Sequence, residues 1–133
     1  MKTASVMIVE HNPDIRNTLR HAFEDRGYLT WTCPGNDMAP SIVSSMHPNF
    51  VLLDLDSEDE KTLDLLDTLK EISPSTRIIL GGRIRDARRI REAMDHGAEA
   101  FLIKQCPLQT LFEILENRSQ TKGSAAWSKR AAA

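Results

Sequence analysis

Val6-Met7-Ile8-Val9-Glu10-His11-Asn12-Pro13-Asp14-Ile15 is the stretch that decides the fold. Val6 to Val9 is a short apolar run with no polar alternation, the mark of a strand buried on both faces. Asn12 is a good helix cap, and Pro13 suits the first helical position because it lacks the N–H that a first turn leaves unbonded. Ile15, Leu19, Ala22 and Phe23 then recur at helical spacing until Gly27 stops the run.

Working outward, the same unit recurs along the chain. Tyr28 to Thr32 is rich in aromatic and β-branched residues and predicts a second strand, followed by the turn Cys33-Pro34-Gly35-Asn36 and a weak helix around 37–46. Phe50 to Leu53 predicts a third strand that delivers Asp54 at its carboxyl end. Leu63, Leu65, Leu66, Leu69 and Ile72 supply the next helical stripe, which Pro74 ends. Arg77 to Leu80 is the fourth strand. Asp86 caps a helix with Ala87, Ile90, Ala93 and Met94 inward, and Gly97 closes it. Ala100 to Ile103 is the fifth strand, and after Pro107 the residues Leu108, Leu111, Phe112 and Leu115 mark the last helix. Five strands alternating with five helices predict a (βα)5 doubly wound α/β fold with right-handed crossovers.

The length of 133 residues fits one core. The repeating pattern fails from about Asn117, giving a domain over 1–118 and a polar tail or linker over 119–133, with Ala131-Ala132-Ala133 reading as a cloning scar ahead of a missing further domain. The apolar runs are far shorter than the roughly 20 residues of a membrane span, and no signal segment precedes Val6, so no membrane association and a cytoplasmic location are expected. Cys33 and Cys106 are expected to be free thiols.

In a doubly wound sheet the chemistry lies beyond the carboxyl ends of the strands. Those positions hold Glu10 and His11, Asp54 and Asp56, Gly81 and Gly82, and Lys104. Carboxylates from neighbouring strands with an ammonium from a third make a site for a divalent cation and a phosphoryl group: oxygen ligands suit Mg²⁺, and the lysine offsets phosphate charge.

With these residues in place the sequence resembles the receiver domain of bacterial two-component response regulators. The resemblance rests on Val6 to Arg16, on Val51-Leu52-Leu53-Asp54-Leu55, on Gly97-Ala98-Glu99-Ala100-Phe101-Leu102-Ile103-Lys104, and on the spacing between them. It covers roughly residues 4–118. It implies a flavodoxin-like sheet of strand order 2-1-3-4-5, with Asp54 as the phosphoacceptor and Lys104 contacting the phosphoryl group. Mg²⁺ would be held by Glu10, Asp54 and the backbone carbonyl of Asp56. Phe101 falls at the aromatic switch position. The implied role is a phosphoryl acceptor rather than an enzyme, served by a sensor histidine kinase or phosphotransfer protein.

The sequence also departs from the family pattern. His11 stands where the family has the acidic residue that binds the metal directly. Gly82 stands where a switch Ser or Thr is expected, Glu58 and Thr62 replace the usual Pro and Gly, and Gln105 follows Lys104 where Pro is usual. These departures motivate a second reading, a pseudo-receiver that works as an interaction or dimerisation module without phosphorylation. A flavodoxin-like cofactor binder is a remote third, opposed by a first loop without phosphate-cradling glycines.

Seventeen Lys and Arg nearly balance nineteen Asp and Glu. The charges are segregated, however. Seven carboxylates lie within residues 54–67 against Lys61, and Arg83, Arg85, Arg88, Arg89 and Arg91 lie together against Asp86. The arginines predict a fourth-helix face for a regulatory protein partner or a second copy of the chain. Without aromatic interleaving or a recognition helix, no direct nucleic acid binding by this domain is expected.

Overall fold

The computed structural model describes residues 3–54, 61–83, 86–103 and 107–116. Its elements run β1 Ser5–Val9, α1 Pro13–Asp25, β2 Leu29–Cys33, a short 3-10 turn Asn36–Met38, α2 Ala39–Met46, β3 Phe50–Asp54, α3 Lys61–Ile72, β4 Arg77–Gly82, α4 Ala87–Asp95, β5 Ala100–Ile103 and α5 Leu108–Glu116. The five strands form one parallel sheet of order β2-β1-β3-β4-β5. This is the doubly wound order expected.

Strand side chains alternate between the two faces with period two, and each face carries its own core. Met7, Val9, Val51, Leu53, Ile78, Leu80, Phe101 and Ile103 pack with Val43, Leu66, Leu69 and Ala93 from α2, α3 and α4. Ile8, Phe50, Leu52, Ile79 and Leu102 pack with Phe23 of α1 and Leu111, Phe112 and Leu115 of α5. Both faces are therefore buried, which is why the strands read as continuous apolar runs.

The predicted caps are present. The Asn12 side chain accepts from the N–H groups of Asp14 and Ile15 at 2.9 and 3.1 Å, and Asp86 accepts from Arg88 N–H at 3.0 Å. Gly97, at φ +113°, turns the chain out of α4 where a Cβ would stand 2.6 Å from Lys70 Cγ, so both conformation and space require glycine.

Several boundaries differ from the sequence reading; β2, for one, runs Leu29–Cys33, with Cys33 paired to Val9 rather than opening the turn. β4 continues through Gly81 and Gly82, because their backbones pair with Leu102 and Ile103 of β5 and the ladder holds them extended despite the missing side chains. The weak second helix begins as a 3-10 turn, whose N-terminal Gly35 offers no side-chain cap, and becomes α-helical only at Ala39, one residue before Pro40.

The amino-terminal end of the sheet is closed by polar contacts. Arg77 Nε donates to Glu99 Oε1 at 2.8 Å, its Nη2 donates to Glu99 Oε2, and its Nη1 donates to Leu115 O at 3.1 Å at the end of α5. Thr76 Oγ1 donates to Pro48 O at 2.7 Å, and Ser5 N–H donates to Asn49 Oδ1 at 2.8 Å.

Candidate functional site

The site forms where β1 and β3 end side by side. Ile8 lies opposite Leu52 in the parallel register, so two residues on Glu10 comes level with Asp54. Asp54 itself lies opposite Gly81, and Gly82 opposite Ile103. The register thus brings together three of the four strand ends singled out in the sequence.

Glu10 is buried, with a side chain only 5% exposed. It is held from three sides. Its N–H donates to Cys33 O at 3.1 Å, its Oε2 accepts from Asn12 N–H at 3.1 Å, and its carbonyl accepts from Arg16 Nη1 at 2.9 Å. Arg16 was missed as a site residue. Its position six residues after Glu10, on the first turn of α1, was the available signal.

His11 is the most exposed group of the site, at 72%. Its Nδ1 lies 3.1 Å from Asp54 Oδ2 and 3.3 Å from Glu10 Oε2. The Asp54 side chain is 12% exposed. Donor atoms of Glu10, His11 and Asp54 all lie within 4.8 Å of one another, so the three can meet on one cation. Two of these donors are hard oxygens of the kind Mg²⁺ prefers, but the third is an imidazole nitrogen, and this donor set does not fit Mg²⁺ as an all-oxygen set does.

Two cavities adjoin these residues. One, of about 230 Å³, is lined by Val9, His11, Pro34, Gly35, Asn36 and Asp54 and gives the carboxylate a solvent approach. The other, of about 190 Å³, lies beneath Glu10 and Asp54 among aliphatic side chains including Ile15, Leu52, Leu102 and Leu111. Burial pushes the thiol of Cys33, at the end of β2, above its ordinary range, against the weaker opposing effects of the Gly35 backbone and of Arg16.

The remaining predicted residues divide. Gly82 is buried and has no hydroxyl to offer. Phe101 is fully buried in the core shared with α2, α3 and α4. Thr62 is buried at the start of α3, and its Oγ1 has no hydrogen-bond partner among the described residues. On and before α4, Arg83, Arg88 and Arg91 are exposed and Arg89 is half-buried, with Arg88 Nε 3.4 Å from Glu92 Oε1. Asp56, Glu58, Arg85, Lys104, Gln105, Cys106 and the tail from 117 onward lie outside the described residues.

Residues 6–116 match the family model of the response regulator receiver domain. The chain belongs to that family. Sporulation initiation phosphotransferase F of Bacillus subtilis is 27% identical over 122 residues, covering 92% of this chain and 94% of that protein. The nitrogen assimilation regulatory protein NtrX of Azorhizobium caulinodans is 26% identical over 118 residues, but this chain spans only 26% of its length. Among solved structures, a response regulator from Burkholderia pseudomallei with a phosphorylated aspartic acid, a calcium ion and citrate superposes with a TM-score of 0.81 at 20% identity, covering 92% of this chain and 71% of that one. That likeness establishes the fold. The chain is thus a receiver domain of two-component response regulators. No helix among the described residues is long and apolar enough to cross a membrane.

Proposed function

We propose that this receiver domain accepts a phosphoryl group on Asp54. The observation that supports the reading is the placement of Asp54: the last residue of β3, level with Glu10, and lining a cleft of about 230 Å³ through which a donor can approach. A carboxylate oxygen attacks the phosphorus of a phosphohistidine on a kinase or phosphotransfer protein. The P–N bond breaks as the P–O bond forms, the imidazole leaves with a proton from solvent, and Asp54 becomes an acyl phosphate. Lys104, the residue after the end of β5, supplies the cation for the phosphoryl oxygens in this reading. In the unmodified state Nδ1 of His11 lies at hydrogen-bond distance, 3.1 Å, from Asp54 Oδ2. Gly82 offers no hydroxyl at the switch position, so in this reading the response runs through charge at the site rather than through a hydroxyl on that residue.

The setting that fits this role is the cytoplasm, with a receiver unit over 1–118, a linker beyond it, and an output element or a protein partner meeting the arginines of α4. A second reading is favoured by one contact: Oδ2 of Asp54 is already engaged by His11. A module that never takes phosphate would keep that contact permanently.

Incubation with acetyl phosphate and Mg²⁺, and separately with a phosphohistidine donor and Mg²⁺, followed by intact mass measurement, separates the two readings. The expected result is a gain of about 80 Da, one phosphoryl group, that is absent in Asp54→Asn. No gain from either donor overturns the acceptor reading and leaves the pseudo-receiver.

A further inference from the structure

We propose that Glu10, His11 and Asp54 form a site for a divalent ion that accepts imidazole, of the zinc and cobalt class, and that His11 turns the site away from Mg²⁺. The proposal rests on reading these residues as the receiver's site, and it does not depend on whether Asp54 is phosphorylated.

The spacing admits a cation. Donors bound to one ion at about 2.0–2.2 Å lie roughly 3–3.5 Å apart, and Nδ1 of His11 lies 3.1 Å from Asp54 Oδ2 and 3.3 Å from Glu10 Oε2. Spacing does not choose the ion; donor chemistry does. Mg²⁺ is small and hard, sheds its water reluctantly and binds oxygen. An imidazole nitrogen between two carboxylates is a poor exchange for a third oxygen. For Zn²⁺ or Co²⁺ the same nitrogen is a preferred ligand, and three protein donors with positions left to solvent describe an open site of the kind these ions occupy.

The His11 side chain is 72% exposed, so an ion can reach its ring from solvent. Glu10 is fixed beforehand by Asn12 N–H and by Arg16 on its carbonyl, so one carboxylate of the set is positioned before the ion arrives.

The test is binding, measured without any phosphodonor. The metal-free chain is titrated with Zn²⁺ and with Mg²⁺ by calorimetry, while the ¹⁵N resonances of the histidine rings are followed by NMR. The expected result is one Zn²⁺ per chain with the Nδ1 resonance of His11 displaced, and no displacement by Mg²⁺ at the same concentration. His11→Ala should lower Zn²⁺ affinity at least about tenfold, since even an outer partner of a metal ligand is worth about 10–100-fold, and His11→Asp should shift the preference toward Mg²⁺. The proposal is overturned if Mg²⁺ binds as tightly as Zn²⁺, if Zn²⁺ binding survives His11→Ala unchanged, or if neither ion binds. The mass measurement on Asp54 is read separately, so failure of the metal site and failure of the phosphoacceptor are told apart.

Discussion

The two ends of the sheet use charged residues in opposite ways. At the amino-terminal end Arg77 and Glu99, 19% and 17% exposed, meet as a guanidinium and a carboxylate, and the guanidinium also bonds the last carbonyls of α5 and lies 4.9 Å from the centre of the Phe50 ring. At the carboxyl end the carboxylates of Glu10 and Asp54 share one histidine nitrogen. The first end joins a guanidinium to a carboxylate. The second brings two carboxylates to one imidazole nitrogen at the site proposed for phosphoryl transfer. The same fold therefore carries its guanidinium–carboxylate pair at one end and its proposed chemistry at the other.

Substitutions can break or sharpen this contrast. Arg77→Ala strands Glu99 and frees the end of α5, so urea denaturation should show a loss of about 3 kcal/mol, as for other poorly exposed ion pairs that lose one partner. Thr76→Val removes the donor to Pro48 O and should cost about 1–2 kcal/mol in the same measurement. At the other end, His11→Ala removes an exposed partner, and its stability should stay within about 1 kcal/mol of the parent. Thr62→Val should cost nothing and gain up to about 1 kcal/mol, because it removes a buried hydroxyl that bonds to nothing described. If His11→Ala proved as damaging as Arg77→Ala, the division between the two ends would fall.

Cys33 supplies the smallest effect. Burial raises its thiol pKa, so the reactive thiolate is scarcer at neutral pH than in a free cysteine. In a Cys106→Ser background, alkylation by iodoacetamide at pH 8 should be slower than for unfolded protein, and should speed up as pH rises.

Much of this was legible in the sequence, for identifiable reasons. The apolar runs and the caps at Asn12 and Asp86 depend on neighbours in the chain, and they placed all five strands and most helix starts. The candidate carboxylates were legible because a parallel sheet puts its chemistry at one end. The extension of β4 through Gly81 and Gly82 was hidden, since glycine disfavours strands and only the β5 ladder overrides that preference. The pairing of Arg77 with Glu99, 22 residues apart, depends on β4 and β5 lying side by side. His11 was read as a departure, yet its direct bond to Asp54 needed coordinates, because residue type does not say which way a ring nitrogen points.

The register of β1, β3 and β4 also sets how this site can change over evolutionary time. Side chains alternate faces at each step of about 3.3 Å along a parallel strand, and Asp54 reaches Glu10 only because β3 has its present length from Phe50. A one-residue deletion inside β3 would exchange the two buried faces and draw Asp54 away from its neighbours. A point change at position 11 or 82 leaves the backbone count untouched. The site is therefore open to replacement of its chemistry residue by residue, and closed to insertions and deletions in the strands that carry it.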